Sequence, residues 1–185
     1  MEPPVDELVA MMEALPKQKD DWIVSPEILV APLSMEQYWD CFWSNEAPYY
    51  IQAIIRDEED SITRSTEWGP PSEEYKELHG STVLQERKFD KKIRNRVAFA
   101  PDYADSYAIF SVLEKTDTKL QIKQTHYTRN APYTDSFEVW VLWDVLTPDP
   151  QSNQVVIRKV YKIKWFSKPL VWRIIRNAIT KGVNA

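Results

Sequence analysis

Between Ile62 and Trp165 the chain repeats one pattern: short runs with strand-like alternation, separated by turn-forming residues and polar links. Six such runs read as strands: Ile62–Trp68, Ser81–Asp90, Ser106–Glu114, Lys119–Tyr127, Ser136–Val145 and Val155–Trp165. Alternation is clearest where Phe137, Val139, Val141 and Trp143 fall on one face, and again where Val155, Ile157, Tyr161, Ile163 and Trp165 do. The links Thr116-Asp117, Asn130-Ala131-Pro132 and Pro148-Asp149-Pro150 carry turn chemistry, and Gly69–His79 reads as a longer polar loop. The strands follow one another in a run with helical segments before and after it, rather than alternating with helices as βαβ units do. The pattern therefore predicts a meandering antiparallel sheet and an α+β fold, and excludes a doubly wound one.

Helical spacing flanks the strands. Val5, Leu8, Val9, Met12 and Leu15 predict a short acidic amphipathic helix, ended by Pro16 and followed by a polar linker. These residues, 1–21, are expected to stand outside the main domain, which would cover 22–185. Trp22–Val30 reads as an extended opening segment broken by Pro26. Ser34 with Gln37 three residues later forms a capping box for a helix over Met35–Trp43, which carries Tyr38, Trp39, Phe42 and Trp43. A second helix is expected from Ala47 or Pro48 to about Arg56, followed by an acidic turn at Asp57–Asp60. Ser167–Lys181 reads as a final helix, apolar at Leu170, Val171, Trp172, Ile174, Ile175, Ala178 and Ile179. A twisted sheet with that helix across its concave face encloses a volume. Lined by aromatic residues, such a volume suits an apolar ligand.

Composition narrows the chemistry. Eight Trp must be buried or must grip something apolar, whereas 3 Gly, scattered at Gly69, Gly80 and Gly182, cannot build a phosphate-cradling loop. The lone Cys41 lies between Trp39 and Trp43, where a small buried hydrophobe is expected, and it excludes an internal disulfide. His79 and His126 have no motif partner, Asp57, Glu58, Glu59 and Asp60 lack the spacing of a calcium loop, and no Ser/His/Asp set stands at a known spacing. The expectation is a protein that is not an enzyme and needs no metal or cofactor. No apolar run is long enough to cross a bilayer, and the acidic start is no targeting leader, which together predict a soluble cytoplasmic protein.

Charge is divided along the chain. Residues 1–80 hold 18 acids and 5 bases (net −13), and residues 81–185 hold 10 acids and 18 bases (net +8). Arg87, Lys88, Lys91, Lys92, Arg94 and Arg96 crowd ten positions. They form either a patch for an anionic partner, with lipid headgroups and nucleic acid both open, or a solvated strand face. No RNP-like, KH or zinc-knuckle pattern accompanies them and the chain is acidic overall, so no nucleic-acid partner is expected.

Several segments resemble a known family. Ala131-Pro132-Tyr133-Thr134-Asp135-Ser136-Phe137-Glu138-Val139 is similar to its V-P-Y-G-D-x-F-x-V pattern, with Thr134 where Gly is usual. Trp165, Lys168, Trp172, Ile175, Ile179, Lys181 and Gly182 resemble its closing strand and final helix. Ala31-Pro32-Leu33-Ser34 through Phe42-Trp43-Ser44-Asn45 resembles its opening, and Arg87-Lys88-Phe89 its basic-and-aromatic strand. The family is the VASt or ASTER domain, a START-like module.

The resemblance implies a helix-grip fold: a curved antiparallel sheet of about six strands, two N-terminal helices and a C-terminal helix across it. It also implies a non-enzymatic domain that binds lipid, sterol above all, and carries it between membranes at contact sites. The implied lining is Phe110, Val112, Phe137, Val139, Val141, Trp143, Ile163, Trp165, Ile175 and Ile179. The loop Gly69–His79 would gate the pocket. Because that loop carries Glu73, Glu74 and Glu77, docking at an anionic membrane would either fall to Arg87, Lys88, Lys91, Lys92, Arg94 and Arg96, peripherally, or be lost; Lys168, Arg173, Arg176 and Lys181 of the last helix could also touch headgroups. The family's final helix runs on beyond the position of Gly182, which implies a shortened lid that leaves the pocket partly open or is completed by a protein partner or by the N-terminal helix. The alternative is a ligand-free VASt-like fold serving as an interaction adaptor or complex subunit.

Overall fold

The computed structural model describes residues 5–15, 22–48, 61–73, 82–94 and 101–184. Among the described residues, three α-helices and seven strands follow in the order α1 (Val5–Ala14), β1 (Ile23–Ala31), α2 (Met35–Phe42), β2 (Ser61–Ser65), β3 (Gln85–Arg94), β4 (Tyr103–Lys115), β5 (Lys119–Arg129), β6 (Phe137–Leu146), β7 (Val155–Trp165) and α3 (Trp172–Asn184). The strands form one sheet in the order β1-β7-β6-β5-β4-β3-β2, antiparallel at each described pairing. This is the expected α+β helix-grip architecture. Its seventh strand is the opening segment, which returns to pair with β7 at the sheet edge. Register there shifts between Val24 and Ile28, around Pro26, which has no N–H to give a ladder. The second helix expected over Ala47–Arg56 and the acidic turn Asp57–Asp60 fall almost wholly outside the described residues.

The side-chain period assigns the two faces of the sheet. Phe89, Phe110, Ile122, Trp143, Val145 and Ile157 share one cluster with Tyr38 and Trp43, so they mark the inner face. On this face α2 fills the β3–β5 side and α3 crosses β6 and β7, where Ile179 packs on Val139, Val141 and Tyr161. The Tyr161 hydroxyl donates to Thr180 Oγ1 at 3.0 Å and pins the helix to the strand. Helix α2 begins as its sequence dictates. The Gln37 N–H donates to Ser34 Oγ at 3.1 Å and the Ser34 N–H donates to Gln37 Oε1 at 2.9 Å, which closes the capping box.

Helix α1 docks on the outer face. Met12 is fully buried against Val156, Ile28 and Leu146. Beneath it the Arg158 guanidinium donates to both Met12 O (3.1 Å) and Leu15 O (3.3 Å), carbonyls at the helix C-terminus. Arg158 also pairs with Asp144 at 2.7 Å, and Gln121 donates to the other Asp144 oxygen at 2.7 Å. The N-terminal helix is thus tied to the sheet by a buried ion pair.

Candidate lipid-binding site

The turn before β6 opens the site. Asn130 and Tyr133 take left-handed backbone conformations (φ 60° and 66°), so the bend is made one residue before Thr134. Thr134 is not among the residues of positive φ. It begins a single 3-10 turn over Thr134–Ser136, and its hydroxyl donates to Ala131 O at 2.8 Å. A β-branched residue is therefore accommodated where the family pattern has Gly. The turn delivers Phe137 to the inner face, where its ring lies 5.3 Å from Trp165, and Trp165 in turn meets Trp172 of α3 edge-on at 6.4 Å.

The ten expected lining residues share the inner face but not one environment. Phe110 and Val112 belong to the half filled by α2: Trp43 packs edge-on against Phe110 at 5.7 Å and against Trp143 at 5.9 Å. That half is solid core. Phe137, Val139, Val141, Trp143 and Ile179 are brought together over β6 and β7 beneath α3, with the half-buried Ile163, Trp165 and Ile175 on the same strand and helix. Trp143 stands at the boundary and belongs to both clusters. Its indole Nε1 is buried and has no hydrogen-bond partner among the described residues. An N–H in that position can be satisfied by an oxygen that a ligand brings.

The outer face of the sheet is different in character. A pocket of about 400 Å³ opens there between the Tyr107–Tyr127 stack, Lys88, Asp90, Ile109 and Arg129. Phe137 alone of the ten borders it. Beside it, Lys123, Lys162 and Lys164 converge on the Trp140 ring at 3.8, 5.8 and 5.0 Å. Burial pulls the Lys123 ammonium down to about 8; Glu138 opposes the shift and Lys164 adds to it.

The structure divides the six basic residues of β3 and its exit. Arg87 is buried on the inner face, donating to Thr66 O (2.8 Å) and Ser44 O (3.1 Å), so its role is to join α2 to β2. Lys91 shares that face. Lys88 and Lys92 point outward, Lys88 in an ion pair with Glu86 at 2.9 Å, and the Arg94 guanidinium lies over Tyr103. Arg96 lies outside the described residues, as do Glu74, Glu77 and His79 of the expected gate. Strand alternation thus splits the basic run between both faces.

His126 meets Ser106 at 2.7 Å, a pairing the sequence did not signal across 20 residues. Ser106 is wholly buried, so no substrate reaches that hydroxyl. No cluster of three or more potential metal ligands occurs among the described residues.

Residues 29–185 match the VASt family, described as the VAD1 Analog of StAR-related lipid transfer domain. The chain belongs to this family. Comparison with curated proteins finds no match. Membership makes this a StAR-related lipid-transfer-type domain, and lipid binding is the general function that follows. Among the described residues no helix is long and apolar enough to cross a membrane.

Proposed function

We propose that the domain binds a sterol, or an apolar lipid of similar shape bearing one hydroxyl, between β6–β7 and α3, and transfers it between membranes without catalysing a reaction. One observation carries the choice of ligand: the walls there are apolar, and the buried Trp143 Nε1–H lacks a partner. A rigid hydrocarbon gains about 25 cal/mol for each Å² of apolar surface removed from water, and one polar contact fixes which end enters first. The Trp143 indole would donate to the lipid hydroxyl, at the wall where the α2-filled core stops the ligand. Eight of the ten residues form this site: Phe137, Val139, Val141, Trp143, Ile163, Trp165, Ile175 and Ile179. The protein works in the cytoplasm and meets membranes peripherally.

The test is native mass spectrometry of the purified chain, then uptake of a fluorescent sterol delivered on cyclodextrin with no vesicles present. One sterol per chain is expected. Trp143→Phe removes the N–H donor while keeping a smaller aromatic ring, so affinity for the free sterol should fall about tenfold further than affinity for a sterol without the hydroxyl, the value of a hydrogen bond whose partner is left buried and unpaired. Affinity for the corresponding 3-deoxy sterol should fall only by the packing lost with the smaller ring. A chain that takes up no sterol, or one that loses the two ligands equally, refutes the reading.

A further inference from the structure

The corner where β7 hands over to α3 exposes apolar side chains that the fold leaves uncovered. Leu170 is fully exposed (103%) and Ile174, one helical turn on, is 70% exposed. Among the described residues of α3, Trp172, Ile175 and Ile179 are half-buried, whereas Ile174 is exposed alongside Arg173, Arg176 and Asn177. The corner is held firmly in place. The Phe166 N–H donates to Ser136 O at 2.8 Å, the Trp172 N–H to Pro169 O at 2.9 Å, and Trp172 is stacked edge-on against Trp165. Leu170 is therefore presented by a built turn.

Charge identifies what the corner meets. After Asp149 the sequence has no acidic residue, while Arg158, Lys159, Lys162, Lys164, Lys168, Arg173, Arg176 and Lys181 follow. Lys168 and Arg173 both lie 5.5 Å from the Trp172 ring, so two cations flank the exposed Leu170 and Ile174. Apolar tips flanked by Lys168 and Arg173 match the headgroup–acyl boundary of an anionic bilayer. A soluble protein partner would be expected to meet such a surface with acids of its own; a bilayer needs only lipid.

We propose that the β7–α3 corner is the membrane-docking element, with Leu170 and Ile174 entering the acyl boundary and Lys168 and Arg173 binding anionic headgroups. The proposal rests on the lipid-binding reading for its purpose, since it places α3, the cover of the lipid site, at the bilayer surface. It moves docking away from the split basic run of β3.

The experiment is flotation of the full chain with vesicles of phosphatidylcholine, alone or mixed with phosphatidylserine. Strong binding to the mixed vesicles only is expected. Leu170→Ser and Ile174→Ser should each weaken it about tenfold, the value of one large apolar side chain moved out of water. Lys168→Glu with Arg173→Glu should remove the dependence on phosphatidylserine, at about fivefold for each charge near an anionic surface. Lys92→Glu on β3 should have no such effect. These positions are exposed, so the variants should fold, and unchanged sterol uptake without vesicles would verify it. Vesicle binding that survives the Leu170 and Ile174 changes, or is lost with Lys92→Glu instead, overturns the proposal. So does a wild-type chain that ignores vesicles and self-associates through Leu170. A chain that docks normally but takes up no sterol would refute the proposed ligand and leave the docking surface standing.

Discussion

Replacing Arg158 by Met removes the centre of a buried network while roughly keeping its length. The wild-type guanidinium gives four hydrogen bonds: two to Asp144 Oδ2, at 3.2 and 2.7 Å, and one each to Met12 O and Leu15 O. Without it Asp144, 2% exposed, keeps a partner in Gln121 but has no counter-charge. Breaking a buried pair by removing one member costs about 3–5 kcal/mol. For a chain of this length each kcal/mol moves the melting temperature by about 2–4 °C, so a fall of roughly 10 °C is expected. Amide exchange should also localise the damage to α1, whose last carbonyls lose their donor. The double variant Asp144→Leu with Arg158→Met removes the stranded charge as well and should recover at least half of the loss, because burying no ion is cheaper than burying one alone. Urea melts of the three proteins, followed by circular dichroism, measure this. A single variant costing less than about 1 kcal/mol, or a double variant as unstable as the single, would refute the reasoning. Sterol uptake should survive in all three, since the network lies on the face of the sheet opposite α3.

Two further outcomes follow from the same geometry. Val141→Trp places an indole beneath α3: if lipid occupies that space the variant stays folded and loses uptake, whereas a solid core would instead be overpacked at a cost of about 1–3 kcal/mol with no ligand to lose. Lys123 has its folded value depressed to about 8 from an ordinary 10.5, so between those values the unfolded chain binds more protons and stability should rise with pH. The raised hydroxyls of Tyr38, to about 12, and Tyr127 reverse the trend above about 10, where the folded state holds the extra proton. Thermal melts from pH 7.5 to 10 should show the rise in wild type and not in Lys123→Met; a flat wild-type profile sinks the assignment.

The strands were legible because each carried its own evidence. β6 and β7 announce themselves by alternation, and Ser34 with Gln37 marks the start of α2 to the residue. Trp22–Val30 was harder to place, since Pro26 interrupts the period and pairing with β7 is a contact across more than 120 residues. The docking of α1 was illegible for the same reason: Val5–Leu15 shows an apolar stripe, but nothing local says that Met12 and Leu15 would meet Arg158. Charge runs misled in a way strand geometry explains. Crowded in sequence, the bases of β3 are distributed by period two to opposite faces, and Arg87 is drawn into the core to serve two carbonyls.

The lining of the lipid site shows where pattern ends and packing begins. Alternation places Phe110, Val112, Val139 and Val141 on one face with equal force, because period two reports which side a residue takes and nothing about what stands opposite. What stands opposite is decided by α2 and α3. Tyr38 and Trp43 occupy the space over Phe110 and Val112, whereas Trp172, Ile179 and Thr180 of α3 meet β6 and β7. The same helix explains why its bases were legible as headgroup contacts while the exposed apolar residues of the corner were not. In the sequence Leu170, Ile174, Ile175 and Ile179 read as one apolar set, yet a helix laid on a sheet can bury only the stripe it presents. Ile175 and Ile179 take that stripe, which leaves Leu170 and Ile174 facing out among bases. The apolar surplus of α3 over what the sheet can cover is the quantity that separates a helix closing a pocket from one that also holds a membrane.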